Sequence, residues 1–479
     1  MDGTLWETGD GYVYSYNKAC QQLNIPEDKI RGREHVLGYL GMKLEELVMT
    51  IIPEAPDKML LGQLLLTNVI EYLVTHPKTY GKNIRQLFED LSKQYELYII
   101  SNCPRPFLET FYQVSGVKPF ITADSTIECG EKPAAIKKFT NGCMDTAILV
   151  GDSTTDYEAI ENHGNVQFVY AAYGYCKDCP SYNYYLEDLD DLPRLLANIQ
   201  SMEYVLKGSP YQVVCNKGTS AAIIDKKDCY YFGFMQVRNP EDLGVVIETI
   251  KERCKGKPVL GPINGNSWYS YRLALNEYDF KLLPDCYGNP AVLKQFLDAG
   301  FVVAEKYIST LTTHNLDKWG QKNVKLPQGY EGKLVKGNDC YKYLEEIYQV
   351  SCECFDGHLF YEPIEFGAFK AMYEKFLPLC SPYLILILFE GKVIGYNFIY
   401  PDFENGFMVD KTTAISKSHR SRAVLLKLIE LTNEVIVELG FDKVMMHYQH
   451  TKNIMLQSYF DGTVIKQKEY GVLKYESAE

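Results

Sequence analysis

The run Ala147-Ile148-Leu149-Val150-Gly151-Asp152-Ser153-Thr154-Thr155-Asp156 constrains this chain most, because an apolar stretch leads straight into carboxylates and hydroxyls. A parallel strand buried on both faces reads as a continuous apolar run. Polar groups just past its carboxyl end stand where open α/β sheets hold their ligands. A second run, Leu97-Tyr98-Ile99-Ile100, ends in Ser101-Asn102. Gly130-Glu131-Lys132-Pro133 lies between the two, and the chain opens Met1-Asp2-Gly3-Thr4-Leu5. Taken singly, an aspartate after a strand is as readily the N-cap of the next helix, and a lone lysine is ordinarily a solvated charge. Taken as an ordered set within alternating strands and helices, they predict an α/β fold with one site at the strand ends.

These motifs resemble those of the haloacid dehalogenase superfamily. Met1-Asp2-Gly3-Thr4-Leu5 is similar to the end of its D-x-D-G-T-L signature, Ser101 to its strand-terminal hydroxyl, and Lys132 to its lysine. Gly151-Asp152 through Asp156 is similar to its acidic G-D-x-x-x-D motif. The resemblance implies a Rossmann-like core and Mg2+-dependent removal of phosphate. A phosphomonoester repels an anionic nucleophile until a metal and a cation neutralise its charge. Asp152 would bind Mg2+ through its side chain and Asp2 through its backbone carbonyl, both hard oxygen donors. Asp156 would be a further metal-site group, direct or one layer out. The Asp2 carboxyl would act as general acid and base, Ser101 would hydrogen-bond a phosphoryl oxygen, and Lys132 would hold phosphate and nucleophile.

In that family the first aspartate of the signature is the nucleophile and ends a central strand, and neither precedes Asp2 in this sequence. The expectation is that the sequence as written begins late, with a non-catalytic descendant as the alternative. Between the first two motifs, helical periodicity over 30–47, 58–74 and 83–94 predicts a helical cap, about residues 12–85. A cap that closes over the site excludes water and bulky substrates, which favours a small phosphorylated metabolite. A strand over 166–171 and a helix over 188–199 end this first domain near residue 200.

A chain of 479 residues is long for a single core. Its net charge of −13 and pI near 5.3 argue against nucleic acid or an anionic membrane as partner. No apolar run reaches membrane-spanning length. The 14 cysteines lack a disulfide-framework spacing, so a reducing cytoplasm is expected. Cys176-Lys177-Asp178-Cys179 and Cys352-Glu353-Cys354 lack a second pair at zinc spacing. The 38 tyrosines are dispersed and suggest packing.

From Asp339 onward the order is two helices, a hairpin about Glu390-Gly391-Lys392, a strand, a helix, a strand, a short helix and two final strands. This resembles the GCN5-related N-acetyltransferase fold, and implies acetyl-CoA as co-substrate with an amine-bearing small molecule as acceptor. Strand 411–416 would pair with the pantetheine arm. The helix 419–439 would receive the pyrophosphate on Arg420, Ser421, Arg422 and Ala423, where a helix terminus favours anions. The family's glycine-rich R-G-x-G-x-G/A stands here as Arg420-Ser421-Arg422-Ala423-Val424-Leu425, so the arginines would replace glycine-cradled contacts with charge. Asn453 would lie beside the thiol and Tyr459, or Phe460, would protonate it. His447 and His450 are candidates for deprotonating the amine, although each is as well explained as a satisfied histidine.

Residues 203–330 read as a reduced second copy of that fold: a strand over 231–237, a helix over 240–254, a strand over 258–263, and Asn289, Phe296 and Gly300 repeating the order of Asn453, Phe460 and Gly462. The segment 261–272, rich in Gly, Asn and aromatics, suits a ligand loop. The expected architecture is therefore α/β: a Rossmann-like hydrolase domain with helical cap (1–200), then two α+β units (203–330 and 335–479). The expected function is a phosphatase joined to an N-acyltransferase. The alternatives are a regulatory binding protein, or an acyltransferase that takes a carrier-protein or aminoacyl donor.

Overall fold

The computed structural model describes residues 1–39, 44–141, 146–161, 163–176, 179, 181–314, 323–453 and 463–476. The chain divides into two compact units. One comprises Met1–Lys207, Val213–Ala221 and Gln236–Val246, and the other Gly208–Gln212, Ala222–Met235 and Ile247–Glu479.

In the first unit the predicted apolar runs are parallel strands. β1 (Tyr98–Ile100) pairs with β2 (Ala123–Ser125), and β3 (Ala147–Gly151) and β5 (Tyr184–Leu186) flank β4 (Val166–Ala171). The single sheet of the sequence expectation is thus two sheets, and among the described residues no strand joins β1 to β3. Residues 1–6 do not supply one. The amides of Thr4, Leu5 and Trp6 all turn back onto the Met1 carbonyl, at 3.2, 2.7 and 3.1 Å, which closes a turn where a ladder would need an extended segment. Consistent with that gap, Ala147–Val150 stay half-buried while Phe168 and Val169 of β4 are fully buried.

The cap is helical, as its periodicity predicts. Trp6 bridges Thr79, and Glu7 N–H to Lys78 O (2.9 Å) and Tyr80 N–H to Leu5 O (3.0 Å) clamp the two ends of the excursion. The excursion therefore runs from about Thr8 to Thr79. It contains the helices Gly9–Gln22, Arg33–Leu37, Leu44–Thr50 and Lys58–Thr75. The periodic stretch 30–47 is thus two short helices and not one. Asp57 caps the last by accepting from Met59 N and Leu60 N. Tyr16, Ala19, Cys20, Val36, Leu61 and Leu65 give the cap its own core. The domain's closing helix is Leu192–Val205, a few residues later than its pattern suggests.

Strands β6 (Tyr211–Asn216), β7 (Thr219–Asp225) and β8 (Tyr230–Gln236) each contribute residues to both units. The second unit continues with β9 (Val259–Gly261), β10 (Leu273–Ala274), β11 (Val302–Thr313), β12 (Tyr330–Lys336), β13 (Tyr383–Phe389), β14 (Lys392–Asp402), β15 (Phe407–Ile415), β16 (Lys443–His450) and β17 (Val464–Tyr475). Their order is β12-β13-β14-β15-β16-β11-β17-β9-β8, with β10 on β17. Alternation on β13 divides the packing cleanly. Leu384, Leu386 and Leu388 join the core beneath the helices Leu344–Phe355 and Phe366–Phe376. Ile385 and Ile387 join the core beneath the helix Arg422–Glu438.

Two sequence expectations need correcting here. The regions 203–330 and 335–479 are not separate units, because β11 of the first lies between β16 and β17 of the second. The expected terminal pair of strands is, among the described residues, the single strand β17. An alternating pattern marks a segment as a strand but does not choose its partner.

Candidate functional site

The first unit gathers the predicted acidic residues around the opening turn. The Asp2–Trp6 bridge uses the Met1 carbonyl and the Gly3 N–H, so the Asp2 carbonyl lies outside it. The Asp2 carboxylate accepts from the Thr8 hydroxyl and from Tyr12 OH at 3.0 Å. Asp152, 4% exposed, follows β3. Its Oδ1 accepts from Thr4 Oγ1 at 2.7 Å and its Oδ2 from Tyr175 N at 3.0 Å. Gly3 and Gly174 wall this carboxylate: a Cβ on either would lie 2.1 or 2.2 Å from an Asp152 side-chain atom, and Gly3 also has φ +73°.

Lys132 begins the helix Lys132–Thr140. Its ammonium lies 2.5 Å from Asp156 Oδ1. Asp156 Oδ2 accepts from Ser153 Oγ (2.6 Å) and Ser153 N (3.2 Å), completing a capping box on the helix Thr154–Glu158. Asp156 is therefore a partner of the lysine and a helix cap together, an arrangement that places it behind Asp152. Ser101, buried at the end of β1, accepts from Cys103 N at 3.3 Å.

Burial pushes the Asp2 carboxyl up to about 6, with Thr8 and Tyr12 opposing the rise and the Asp152 charge adding to it. Burial likewise raises Asp152. At Asp156 burial is outweighed by the charge and hydrogen bond of Lys132, and its carboxyl falls below the usual range. Asp152 is buried and Asp2 half-buried, and the Asp152 charge raises Asp2; two such carboxylates offer hard-oxygen donors suited to a divalent cation. Among the described residues no three His, Cys, Asp or Glu side chains converge as a metal cage.

Sequence reasoning missed the tyrosines that hold this site. Tyr175 OH accepts from Thr8 N (2.6 Å) and Gly9 N (2.8 Å), at the start of the first cap helix. Tyr173 OH donates to Thr4 O at 2.8 Å. The signal was available as Tyr173-Gly174-Tyr175, aromatics about a glycine immediately after a buried strand.

In the second unit, Ser421 is the N-cap of the helix Arg422–Glu438 and accepts from Val424 N at 3.4 Å. Arg420, Ser421 and Arg422 are exposed and Ala423 half-buried, so the predicted quartet is together at the helix start. Arg420 Nε donates to Ile415 O at 3.1 Å and is thereby tied back to β15. β15 runs parallel to β16 only through Met408–Asp410, against Val444–Met446; beyond Asp410 the strands part. Asn453 lies past β16, its N–H on His450 O at 2.9 Å. Tyr459 and Phe460 lie outside the described residues.

Both candidate histidines are engaged. His447 Nδ1 is 2.9 Å from Ser309 Oγ and Nε2 is 2.8 Å from Pro284 O. Burial and the charges of Arg272, Lys411 and Lys468 push it down to about 3. A ring held neutral with its second nitrogen on a carbonyl is a structural histidine, not an amine base. His450 Nε2 pairs with Glu305 at 3.0 Å. Cysteines 176, 179, 352 and 354 are free thiols, and among the described residues no helix is long and apolar enough to cross a membrane.

The model of the haloacid dehalogenase-like hydrolase family matches residues 1–171, so the first unit carries a hydrolase domain of that type. No curated protein matches the chain. Among solved structures, a haloacid dehalogenase-like family hydrolase from Streptococcus pneumoniae is 17% identical, with 41% of this chain and 95% of that one covered and a TM-score of 0.36. A predicted phosphoglycolate phosphatase from Haemophilus somnus is 19% identical, at 41% and 95% coverage and a TM-score of 0.35. A tandem GNAT protein from the clavulanic acid biosynthesis pathway is 11% identical, at 57% and 85% coverage and a TM-score of 0.34.

Proposed function

We propose that the first unit is a Mg2+-dependent phosphomonoester hydrolase for a small metabolite and the second an acyl-CoA-dependent N-acyltransferase. The observation that carries the first reading is the glycine-walled Asp152 carboxylate beside Asp2, with Lys132 locked on Asp156 behind it. Asp152 Oδ and the Asp2 carbonyl would hold the metal, which when bound neutralises phosphoryl charge. Lys132 and the Ser101 hydroxyl hold phosphoryl oxygens, and Asp156 fixes the lysine's position. The Asp2 carboxyl, held by Thr8 and Tyr12, passes a proton to the leaving oxygen. Tyr175 ties the first cap helix to the same site, so a cap that shields the substrate is anchored where the chemistry occurs. These residues supply the binding and proton-transfer parts of the reaction.

The parting of β15 and β16 beyond Asp410 supports the second reading. It leaves Lys411–Ile415 with an open edge for an extended amide-bearing arm, close in sequence to the helix start at Arg422 that suits its phosphates. An acetyl group would then pass to a small amine, the thioester C–S bond breaking as the C–N bond forms and the amine's proton ending on the departing CoA thiolate. Neither His447 nor His450 is free to take that proton.

The test is hydrolysis of p-nitrophenyl phosphate with and without Mg2+, by the protein and by its Asp152→Asn variant. We expect Mg2+-dependent turnover that Asp152→Asn abolishes. Turnover indifferent to Mg2+ or to Asp152 would overturn the assignment.

A further inference from the structure

Arg272 is the most unusual residue of the second unit. Its backbone has φ +97°, in the left-handed region that non-glycine residues rarely adopt. Its N–H is held by Pro262 O at 2.8 Å. The side chain is 7% exposed, and its guanidinium carbon lies 3.7, 4.1 and 4.3 Å from the ring centres of Tyr271, Tyr448 and Tyr307. Nε has no hydrogen-bond partner, and among the described residues no carboxylate forms an ion pair with Arg272. Tyr448 is also left-handed, with φ +55°, where the β11–β16 register shifts between Ile308 and Thr310. Two strained residues, one of them at a bulge that re-aims its ring, thus build a cage around a cation without a counter-ion.

Among the described residues the neighbourhood adds positive charge and no unmatched carboxylate. The Lys411 ammonium stands 5.5–5.7 Å from the rings of Phe376, Tyr373 and Phe398 and makes no ion pair among the described residues. Burial, with the Arg272 charge assisting, pushes it down to about 8. His447 is neutral. Lys468 is already matched by Asp285 at 2.7 Å. The Asp410 carboxylate is taken up by Asn397, 3.4 Å away in a network with Thr432 and Thr413. Buried charges are ordinarily paired, and this guanidinium has the Tyr271 side chain and three ring faces but, among the described residues, no carboxylate.

We propose that Arg272, with Lys411 beside it, binds the carboxylate of a small substrate where β15 and β16 part. A guanidinium offers two parallel N–H groups, the geometry a planar carboxylate accepts. Pushed down to about 8, Lys411 still keeps most of its charge near neutral pH and adds to the attraction for an anion. The tyrosine walls provide little of the further hydrogen bonding that a dianionic phosphate requires. Calling the anion a substrate group rests on the acyl-transfer reading, but the binding itself needs no acyl donor.

The experiment is calorimetry of the full chain with sodium succinate, and separately with inorganic phosphate, at matched ionic strength and without acetyl-CoA. Saturable succinate binding is expected, lost in Arg272→Met, weakened three- to tenfold in Lys411→Met, and unchanged in Lys452→Ala. Should Arg272→Met fail to fold, Arg272→Lys keeps the charge without the fork and is expected to bind at least tenfold more weakly. No saturable binding, or binding indifferent to both Arg272 variants, overturns the proposal. Phosphate binding that requires Arg272 and exceeds that of succinate overturns the carboxylate assignment. Acetyl-CoA binding, measured on its own, tests the acyl-transfer reading apart from this one.

Discussion

Lys132 and Asp156 form a 2.5 Å ion pair whose side chains are only 15% and 13% exposed. The lysine opens one helix and the aspartate caps another, so a single contact fixes the lysine ammonium and the start of the helix after β3. Buried pairs contribute little net stability when intact, but removing one partner strands the other.

Lys132→Met should therefore destabilise the first unit by about 3–5 kcal/mol at neutral pH, and its pH dependence should reverse sign. In the native chain the Asp156 carboxyl is below its unfolded value; its stabilisation is present above about pH 4 and is lost as pH falls through the folded value. Without Lys132, burial is no longer outweighed and the folded value rises above the unfolded one. The variant then binds more protons folded than unfolded, and gains stability relative to the native chain as pH falls from 7 to 5. Denaturant melts at pH 5, 6 and 7 read this directly. A constant difference between the two proteins across that range would count against Asp156 as the group stranded.

Much of this site was legible because each chemical group ends an apolar run: Ser101 after β1, Asp152 after β3. What stayed hidden is long-range. Tyr175 meets Thr8 and Gly9 across more than a hundred and sixty positions, and no local pattern encodes that contact. The second unit shows the same limit. The hairpin of β13 and β14 follows from Glu390-Gly391, both with positive φ, whereas the placement of β11 beside β16 and β17 depends on pairings that alternation leaves open. Arg272 was read only as part of a glycine- and aromatic-rich loop; its burial needs the rings of Tyr307 and Tyr448 to arrive from other strands.

Tyr175→Phe isolates the link between strand end and cap. The substitution removes one oxygen that accepts from both Thr8 N and Gly9 N, leaving two helix-start amides unsatisfied in a largely buried place. A loss of about 1–3 kcal/mol is expected, with faster hydrogen exchange in Gly9–Gln22 than in the β3–β4 sheet. Uniform acceleration across the unit would mean that the hydroxyl supports the whole domain and not the cap.

Gly174→Ala should damage the site without removing a charged group. The new methyl would fall 2.2 Å from Asp152 Cβ, and a misplacement of about 1 Å in a catalytic constellation costs on the order of a hundredfold in rate. Toward p-nitrophenyl phosphate, kcat should fall by about that factor, while the melting temperature falls by less than in Lys132→Met. Native kcat in this variant would show that Asp152 moves aside freely and does not hold the metal in the observed pose.

The acyl donor is tested at the start of the helix Arg422–Glu438. Arg420 is tied to Ile415 O, which leaves the exposed Arg422 and the helix amides as the freer partners for a pyrophosphate. If acetyl-CoA binds there, it stabilises the native state by mass action, and a saturating concentration should raise the melting temperature of the full chain. Arg422→Ala should weaken binding more than Arg420→Ala, and both losses should shrink as salt rises, because exposed charges are screened within about 10 Å at 0.1 M ionic strength. Arg272→Met should leave acetyl-CoA affinity unchanged, since the caged guanidinium is assigned to the other substrate. A calorimetric titration with millimolar acetyl-CoA that shows no heat would exclude this donor and favour a carrier-bound acyl group on the same strand edge.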